Sequence, residues 1–352
     1  MKQKISLTFA LLISCALLAA ACGGTPAAPA PAQPAAPTVE PTLALPSAAG
    51  FVLGYEASDD QNIDGLLKAC AETKMECVRG KDIEELVNKK VDAIISYSNQ
   101  WHVNGAWPQI QLAKQAGIPI FMLNADSGEQ DVYNLSTLYR STRASLEWMM
   151  EEMGGEGEFV YFNFGSSGFT QEIIDEVLAA YPKVEATSMP ADWGSEVFTQ
   201  ESIIEMVKAN PTIKAIWTSD NLMDIYWALK DQKDIEKLPL FRCGTRLDEL
   251  NAWKDRLEKD ASFKCFATIA PGGTDYEGVY AALYHLAGLE FNPQGVVDFR
   301  WGKTFLYDYP IITSENLNEW MGKLDSLVVG EYDFYKMPAM TAQEIRAKWF
   351  VE

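Results

Sequence analysis

Short apolar runs alternate with amphipathic stretches along the chain from Phe51 to Thr313. The runs Val91–Tyr97 and Ile118–Leu123 are apolar along most of their length instead of at every second residue. Strands that alternate with helices predict βαβ units and parallel sheets. Strands that are apolar on both faces predict a sheet with helices packed on both sides. The sequence therefore predicts an α/β fold of doubly wound parallel sheets.

The number of apolar runs predicts two sheets. About five predicted strands precede Thr137 and about as many follow it, and a single open sheet of that total size is unusual. The roughly 300 residues after position 50 suit two lobes of ordinary domain size. We therefore expect two doubly wound lobes, with residues 304–309 and 311–313 closing the fold as a strand pair.

The first residues have the pattern of a secretory signal. Lys2 and Lys4 precede an apolar run from Ile5 to Ala21, which ends in three alanines before Cys22. A charged start, an apolar core and a small-residue cleavage site are typical of a signal peptide, here residues 1–21. The run is shorter than the ~20 residues of a membrane-spanning helix. The ending resembles the lipobox of bacterial lipoproteins, which implies lipidation of Cys22; an ordinary signal peptide is the alternative.

Residues 22–50 are rich in alanine and proline and almost lack large apolar side chains. Such a segment cannot bury a core, and proline biases it toward extended conformations. We expect a disordered tether. The net charge is −20, and loss of Lys2 and Lys4 makes it −22, so the chain will not bind nucleic acid through its overall field.

Four of the six cysteines lie in the predicted globular part: Cys70, Cys77, Cys243 and Cys265. Outside the cytoplasm an even number indicates disulfides. Each of the pairs 70–77 and 243–265 lies at the ends of successive predicted elements, so we favour this pairing. Three pairings are possible, and free buried thiols are the alternative. With two histidines in the chain, a Cys/His zinc site is not expected, and neither is another metal or a cofactor.

Several segments together resemble the ribose/galactose-type periplasmic binding proteins. They lie between residues 51 and 313, in the order that this family has. The matching segments are Val91–Ser96, Ile110–Asp126, Asn210–Asn221, Cys243–Thr245 and Ala267–Ala270. The resemblance implies the type I binding-protein fold, in which two lobes are joined by three crossing segments and a ligand binds between them.

The resemblance also implies lobe boundaries. The crossings would fall near residues 134–137, 270–273 and 309–312. The N-terminal lobe would then comprise residues 51–136 and 271–310, and the C-terminal lobe residues 137–270 and 311–352. The apolar residues of the tail, among them Trp320 and Trp349, indicate that it packs as a strap over one lobe.

Ligands of open α/β sheets bind beyond the carboxyl ends of the strands. Asp, Asn and Arg side chains there offer donors and acceptors for hydroxyl groups, and a Trp ring offers a flat face to a sugar. We therefore expect a polyol ligand, which we take to be a sugar. The candidate ligand-binding residues are Asp59, Asp60, Trp101, Asn124, Asp126, Trp193, Asp220, Asn221 and Arg246.

Asn124 and Asp220 are the two candidates that alignment with the family supports directly. For the others a structural role is the alternative. Asp59 and Asp60 could cap a helix. Trp101 and Trp193 could pack within a lobe, and Arg246 could pair with Asp248 on the surface.

The sequence departs from the family where Cys243 replaces an Asp and Pro271 replaces a Gln. The ligand of a relative therefore cannot be transferred to this chain.

Two motifs that resemble catalytic sites are incomplete in this chain. Gly302-Lys-Thr lacks the glycine that a P-loop needs at position 297, and Phe169 replaces the last glycine of a nucleophile elbow. The chain is therefore expected to be no enzyme. The family resemblance implies that it is the extracytoplasmic solute-binding component of an ABC importer. Its expected partners are a small ligand, an ABC permease and the membrane through the lipid anchor. A ligand-sensing receptor for a membrane signalling kinase is the alternative.

Overall fold

The computed structural model describes residues 45–48, 50–59, 61–97, 107–123, 132–135, 139–162, 168–189, 198–219, 223–235, 237–299 and 302–351. The predicted signal peptide, Cys22 and most of the predicted tether lie outside these residues. No helix within these ranges is both long and apolar enough to span a membrane.

The strands, numbered along the chain, are β1 (Val52–Glu56), β2 (Glu76–Gly80), β3 (Ala93–Ser96), β4 (Ile120–Leu123), β5 (Val132–Leu135), β6 (Glu156–Phe162), β7 (Lys183–Met189), β8 (Ile213–Thr218), β9 (Phe266–Thr268), β10 (Ala270–Pro271), β11 (Glu290–Phe291), β12 (Val296–Phe299), β13 (Gly302–Phe305), β14 (Ile311–Thr313), β15 (Val328–Val329), β16 (Tyr335–Met337) and β17 (Phe350–Val351).

The α-helices are α1 (Asp64–Thr73), α2 (Ile83–Asn88), α3 (Trp107–Gln115), α4 (Tyr139–Glu152), α5 (Gly168–Ala180), α6 (Gln200–Ala209), α7 (Asp224–Leu229), α8 (Leu247–Lys259), α9 (Thr274–Leu286), α10 (Leu317–Met321) and α11 (Ala342–Trp349).

Local sequence signals explain several helix ends. The Asp82 carboxylate accepts a hydrogen bond from the Glu85 backbone N–H at 2.8 Å and so caps the start of α2. After α3 the chain turns at Gly117, whose φ of 72° suits a glycine. Thr199 and Ser202 form a reciprocal capping box at the start of α6.

The first lobe is built on a sheet whose described strands run in the order β12-β13-β5-β4-β3-β1-β2. Every neighbouring pair is parallel except the hairpin of β12 and β13. Helices α1 and α9 pack on one face, and α2 and α3 pack on the other. Strands β3 and β4 are buried along their whole length because both faces are covered.

The second lobe has a parallel sheet in the order β7-β6-β8. Helices α4 and α5 cover one face, and α6, α7 and α8 cover the other. Beyond β8 the ladder continues through single parallel bridges, Ala215 to Leu240 and Arg242 to Phe266. The predicted α/β class with helices on both sheet faces is therefore confirmed.

Three passages of the described chain run between the cores of the two lobes. Leu135 lies in the first core and Tyr139 packs against the second. Strand β10 follows Ile269, which is in the second core, and α9 returns to the first. The third passage runs from Tyr309 to Ile312. The predicted strand pair of residues 304–309 and 311–313 is wrong, because β13 pairs with β5 and β12 while β14 pairs with β9 across this passage.

The tail makes a fourth passage. Tyr335 and Met337 pack against the second core, whereas Ile345, Trp349 and Phe350 are buried in the first. The prediction that residues 311–352 belong to the C-terminal lobe is therefore wrong for their last part. The apolar face of α11 completes the first core, and β17 pairs with β11.

In the described residues, Cys70 is bonded to Cys77 and Cys243 to Cys265, which is the pairing favoured from the sequence. The first joins the end of α1 to β2 within one βαβ unit. The second joins the Leu240–Arg242 segment to the start of β9, so it links neighbouring parts of the second sheet where ladder pairing is sparse.

Candidate ligand-binding site

The carboxyl ends of the central strands of the first lobe carry a polar pair. The Ser96 hydroxyl at the end of β3 donates to the Glu56 carboxylate at the end of β1, at 2.6 Å. The Tyr97 backbone N–H donates to the Glu56 carbonyl at 3.2 Å. These contacts fix the direction in which the chain leaves β3, and they place Tyr97 at the strand end, where α/β folds bind ligands.

Asp59 borders a cavity of about 470 Å³ at the ends of β1 and β2. The other lining residues lie at positions 57, 58 and 79–81. The Asp59 side chain is 99% exposed and pairs with Arg79 at 2.7 Å. An exposed pair of this kind contributes little to stability. Asp59 is therefore held by one cation while its carboxylate remains accessible to solvent.

A second cavity of about 360 Å³ lies where α1 and α9 begin, beside β10. We call residues 328–339 the strap and this cavity the strap cavity, because the strap forms one of its walls. Tyr97 forms part of another wall. The described residues that line the strap cavity are Gln61, Asn62, Asp64, Gly65, Lys68, Tyr97, Pro271–Tyr276, Val328–Gly330, Lys336 and Ala339.

The start of α1 is capped from α9. The Asp275 carboxylate accepts a hydrogen bond from the Leu66 backbone N–H at 3.0 Å. A side chain on Gly65 would collide with this carboxylate, since a Cβ there would lie 2.3 Å from its Oδ2 atom. Farther along the two helices, the Tyr276 and Tyr280 hydroxyls both donate to Glu72, at 2.7 and 2.9 Å. The two helix starts are thus fixed relative to each other.

In the second lobe, Arg246 precedes α8 and its backbone N–H donates to the Glu249 carboxylate at 3.0 Å. Its guanidinium contacts Asp248 at 3.1 and 3.2 Å. Burial raises the pKa of Glu249, although the hydrogen bond from Arg246 opposes this shift. Gly244 leaves room for that carboxylate, because a Cβ there would lie 1.9 Å from Glu249 Oε2. Arg246 therefore forms the surface pair with Asp248 that the sequence offered as the alternative to ligand contact.

Arg242 is a buried cation at the carboxyl end of the second sheet that was not among the predicted site residues. It is 8% exposed, donates from Nη1 to the Thr218 carbonyl at 3.3 Å, and lies over the Trp217 ring. The sequence did carry a signal for Arg242: it directly precedes the Cys243–Thr245 segment, which resembles the binding-protein family. Tyr97 was likewise missed, although it ends a predicted strand.

The remaining predicted ligand-binding residues lie outside the described residues, as does the predicted lipidation site Cys22. They are Asp60, Trp101, Asn124, Asp126, Trp193, Asp220 and Asn221. By sequence, Asn124 directly follows β4, and Asp220 comes two residues after the end of β8. Their roles stay predictions. Within the described ranges no group of three or more His, Cys, Asp or Glu side chains could hold a metal ion.

A family model for the periplasmic binding protein domain matches residues 59–290. No curated protein matches the chain. Several solved structures share the fold. A glucose-galactose binding protein from Geobacillus stearothermophilus is 14% identical with a TM-score of 0.55, and the match covers 76% of this chain and 98% of that one.

An ABC sugar transporter subunit from Rhodobacter sphaeroides 2.4.1 is 19% identical with a TM-score of 0.54, covering 76% of this chain and 99% of that one. An ABC transporter solute binding protein from Bacillus halodurans C-125 with bound myo-inositol is 15% identical with a TM-score of 0.55. That match covers 80% of this chain and 100% of the other. About a fifth to a quarter of this chain therefore lies outside these matches.

Proposed function

Because the chain belongs to the periplasmic binding protein domain family, we propose that it is the solute-binding component of an ABC importer and binds a small hydroxyl-rich ligand, a sugar or cyclitol, between its lobes. The family is a class of binding proteins, and we propose no catalytic activity for this member. The ligand class is supported by the glucose-galactose and myo-inositol proteins that share the fold.

One observation carries the mechanism. The first passage follows the carboxyl end of β5, and the second follows the carboxyl end of β9. Because parallel strands end at one edge of a sheet, we expect the strand-end side chains of both lobes to face the space beside the hinge. A ligand that contacts both lobes stabilises the closed arrangement, because the open arrangement lacks half of these contacts. The closed form would then be the one that docks on a permease.

The proposed ligand contacts are those of the predicted site. Asn124 follows β4 in the first lobe and Asp220 follows β8 in the second, so each lobe supplies one polar side chain. Amide and carboxylate groups both suit hydroxyl ligands, because a hydroxyl group donates and accepts at once. Asp59 and Arg246 would add contacts from the two rims.

Calorimetry on residues 23–352 would test this proposal with glucose, galactose, arabinose, myo-inositol and adenosine as probes. We expect one of the sugars or the cyclitol to bind, and Asn124→Ala and Asp220→Ala to weaken that binding at least tenfold. Asp298→Ala is the matched control, since this exposed carboxylate lies on the β12–β13 hairpin and contacts Lys303. Binding of none of the probes, or equal binding by all variants, would refute the proposed function.

We also propose that the protein lies outside the cytoplasm, anchored by lipidated Cys22. The charged, apolar and small-residue segments before Cys22 support export, and the proline-rich segment after it suits a tether. In cells, Cys22→Ser should release the protein from the membrane fraction. Retention of this variant in the membrane fraction would argue for another anchor.

A further inference from the structure

The strap comes from the last part of the chain, yet it lies against the hinge. Strand β16 pairs in parallel with β10, the second passage between the lobes. The strap is also tied to the second lobe, because the Tyr335 backbone N–H donates to the Thr245 carbonyl at 3.0 Å and the Thr245 hydroxyl donates to the Tyr335 carbonyl at 3.1 Å. A segment held on two sides in this way forms a fixed wall of the strap cavity.

The fit between the strap and the hinge leaves no space for side chains at the start of α9. A Cβ at Gly273 would lie 2.1 Å from the Ala339 Cβ, and one at Gly272 would lie 2.5 Å from the Met337 carbonyl oxygen. Real Cβ atoms do not approach other atoms so closely. The two glycines therefore allow the strap to close this side of the cavity.

Tyr97 presents a polar group that the protein itself does not satisfy. Tyr97 is buried, with 6% of the residue exposed, and it lines the strap cavity. The hydroxyl has no hydrogen-bond partner among the residues that the structure describes. Buried hydroxyls are nearly always hydrogen-bonded, so an exception at a cavity wall points to a ligand. Burial, with a further contribution from nearby Asp275, raises the pKa of Tyr97 far above its usual value, so the hydroxyl keeps its proton.

Lys336 is the strap residue that can reach the same space. It is half-buried, and its side chain extends over Gly330, where a Cβ would lie 2.6 Å from the Lys336 Cε atom. No carboxylate in the described part of the chain pairs with its ammonium group. A lysine held against a cavity wall in this way is available to donate hydrogen bonds into the cavity.

The charges of the strap cavity select the ligand class. Lys68 and Lys336 contribute two positive charges, and Asp64 and Asp275 contribute two negative charges. An anion would approach two carboxylates and a cation would approach two ammonium groups, so neither gains from the site as a whole. A neutral ligand with several hydroxyl groups can donate to the carboxylates and accept from Tyr97 and the lysines.

We propose that the strap cavity binds a hydroxyl-rich part of the ligand, and that Tyr97 and Lys336 are specificity-determining residues of this subsite. This inference rests on the proposed function and adds the tail of the chain to the binding machinery. Asp59 and Arg246, the two predicted site residues that the structure describes, do not line this cavity.

The test uses residues 23–352 and the panel of glucose, galactose, arabinose and myo-inositol. Tyr97→Phe removes only the hydroxyl, and Lys336→Met removes the charge while keeping the stem. Tyr332→Phe and Lys323→Met are the matched controls, because both positions lie on the tail and neither lines the strap cavity. Calorimetry measures affinity, and thermal unfolding without ligand reports whether each variant is folded.

We expect each cavity variant to bind at least fivefold more weakly than the unaltered protein, with the controls within twofold and all unfolding temperatures similar. If the unaltered protein binds a probe and both cavity variants bind it within twofold, the subsite is refuted while the proposed function stands. If the unaltered protein binds none of the probes, the proposed function fails and the subsite fails with it.

Discussion

In the first lobe the described sheet is a continuous ladder of seven strands, whereas in the second lobe the ladder stops after three and goes on through single bridges at Leu240 and Arg242. The first lobe owes its complete core to the end of the chain, because Trp349 and Phe350 are buried between α9 and the sheet. In the second lobe, the Cys243–Cys265 disulfide lies beside the part of the sheet that is joined only by single bridges.

This difference indicates how each lobe becomes stable. The core of the first lobe depends on contacts between residues far apart in sequence, so it is incomplete until the tail has docked. The core of the second lobe is formed mainly by residues 139–269 and 312–327, with partly buried contacts from the strap. The tail therefore couples the two lobes, since it contacts the second at Tyr335 and ends in the first.

The largest expected effect is that of Trp349→Ala. Trp349 is fully buried, and its indole N–H donates to the Leu306 carbonyl at 3.2 Å. Removing a buried Trp side chain costs about 3–5 kcal/mol of the free energy of unfolding. Denaturant unfolding measures this loss, and hydrogen exchange should show faster exchange in β4 and β5 than in β6.

Trp320→Ala is the matched control for the tail. Trp320 is partly exposed and packs against the core of the second lobe. We expect less than about 2 kcal/mol of destabilisation, because only part of its surface is buried. Equal losses for both variants, or equal acceleration of exchange in both lobes, would show that the first lobe does not depend specially on the tail.

The second prediction compares the two disulfides. The paired replacement Cys243→Ala with Cys265→Ala opens a loop with a sequence separation of 22, and Cys70→Ala with Cys77→Ala opens one of 7. The chain-entropy model gives losses of about 3.5 and about 2.5 kcal/mol, respectively. The sparse ladder beside Cys243 should widen this difference. Denaturant unfolding of the two variants measures it, and a larger loss for the 70–77 pair would reverse the comparison.

The third prediction concerns Glu277, which lies on α9 and is 1% exposed. Its carboxylate accepts hydrogen bonds from the Tyr307 hydroxyl at 2.6 Å and from the Met340 backbone N–H at 2.7 Å. Burial raises the pKa of Glu277 from 4.5 to about 7, against the opposing effect of these hydrogen bonds. The folded protein therefore binds this proton more tightly than the unfolded chain does.

The contribution of Glu277 to the free energy of unfolding is fully present below pH 4.5. It is lost as the pH rises to about 7, by roughly 3 kcal/mol at about 1.4 kcal/mol per pKa unit. Glu277→Gln should remove this slope in unfolding measured between pH 4.5 and 8. Glu72→Gln is the control, because hydrogen bonds led by that from Tyr276 lower the pKa of Glu72, so its contribution is lost as the pH falls. An unchanged slope in Glu277→Gln would contradict the assignment.

Most of the fold could be predicted because apolar runs such as Val91–Tyr97 are local signals of strands. The lobe to which the tail docks could not be predicted. The apolar face of α11 could pack into any apolar groove, and only the three-dimensional contacts show that it packs on the first lobe. The pairing of β13 with β5 joins residues some 170 apart, and no local pattern records it. The predicted strand pair of residues 304–309 and 311–313 does not form, because Pro310 and the third passage between the lobes lie between them.

The candidate site was predicted less completely for the same reason. The strand-end rule identified Asp59 and Arg246, which do lie at strand or helix ends, because sheet polarity follows from sequence order. It missed Lys336, since a residue of the tail reaches the hinge only through the pairing of β16 with β10. It also missed Tyr97, whose buried and unbonded hydroxyl is a property of packing and not of spacing.

The smallest effect on stability is expected when the Arg246–Asp248 pair is broken. Variants at this pair also test whether the second lobe contacts the ligand through Arg246. The Arg246 side chain is 40% exposed and pairs with Asp248, so breaking the pair should change the free energy of unfolding by less than about 1 kcal/mol. A pair that weak can open when the lobes close, which frees the guanidinium for the ligand. Arg246→Gln should therefore weaken binding of the sugar or cyclitol probe severalfold in calorimetry, whereas Asp248→Asn, which removes the same pair, should not. If both variants bind as the unaltered protein does, Arg246 serves only the surface pair, and the rim of the second lobe supplies no contact from this position.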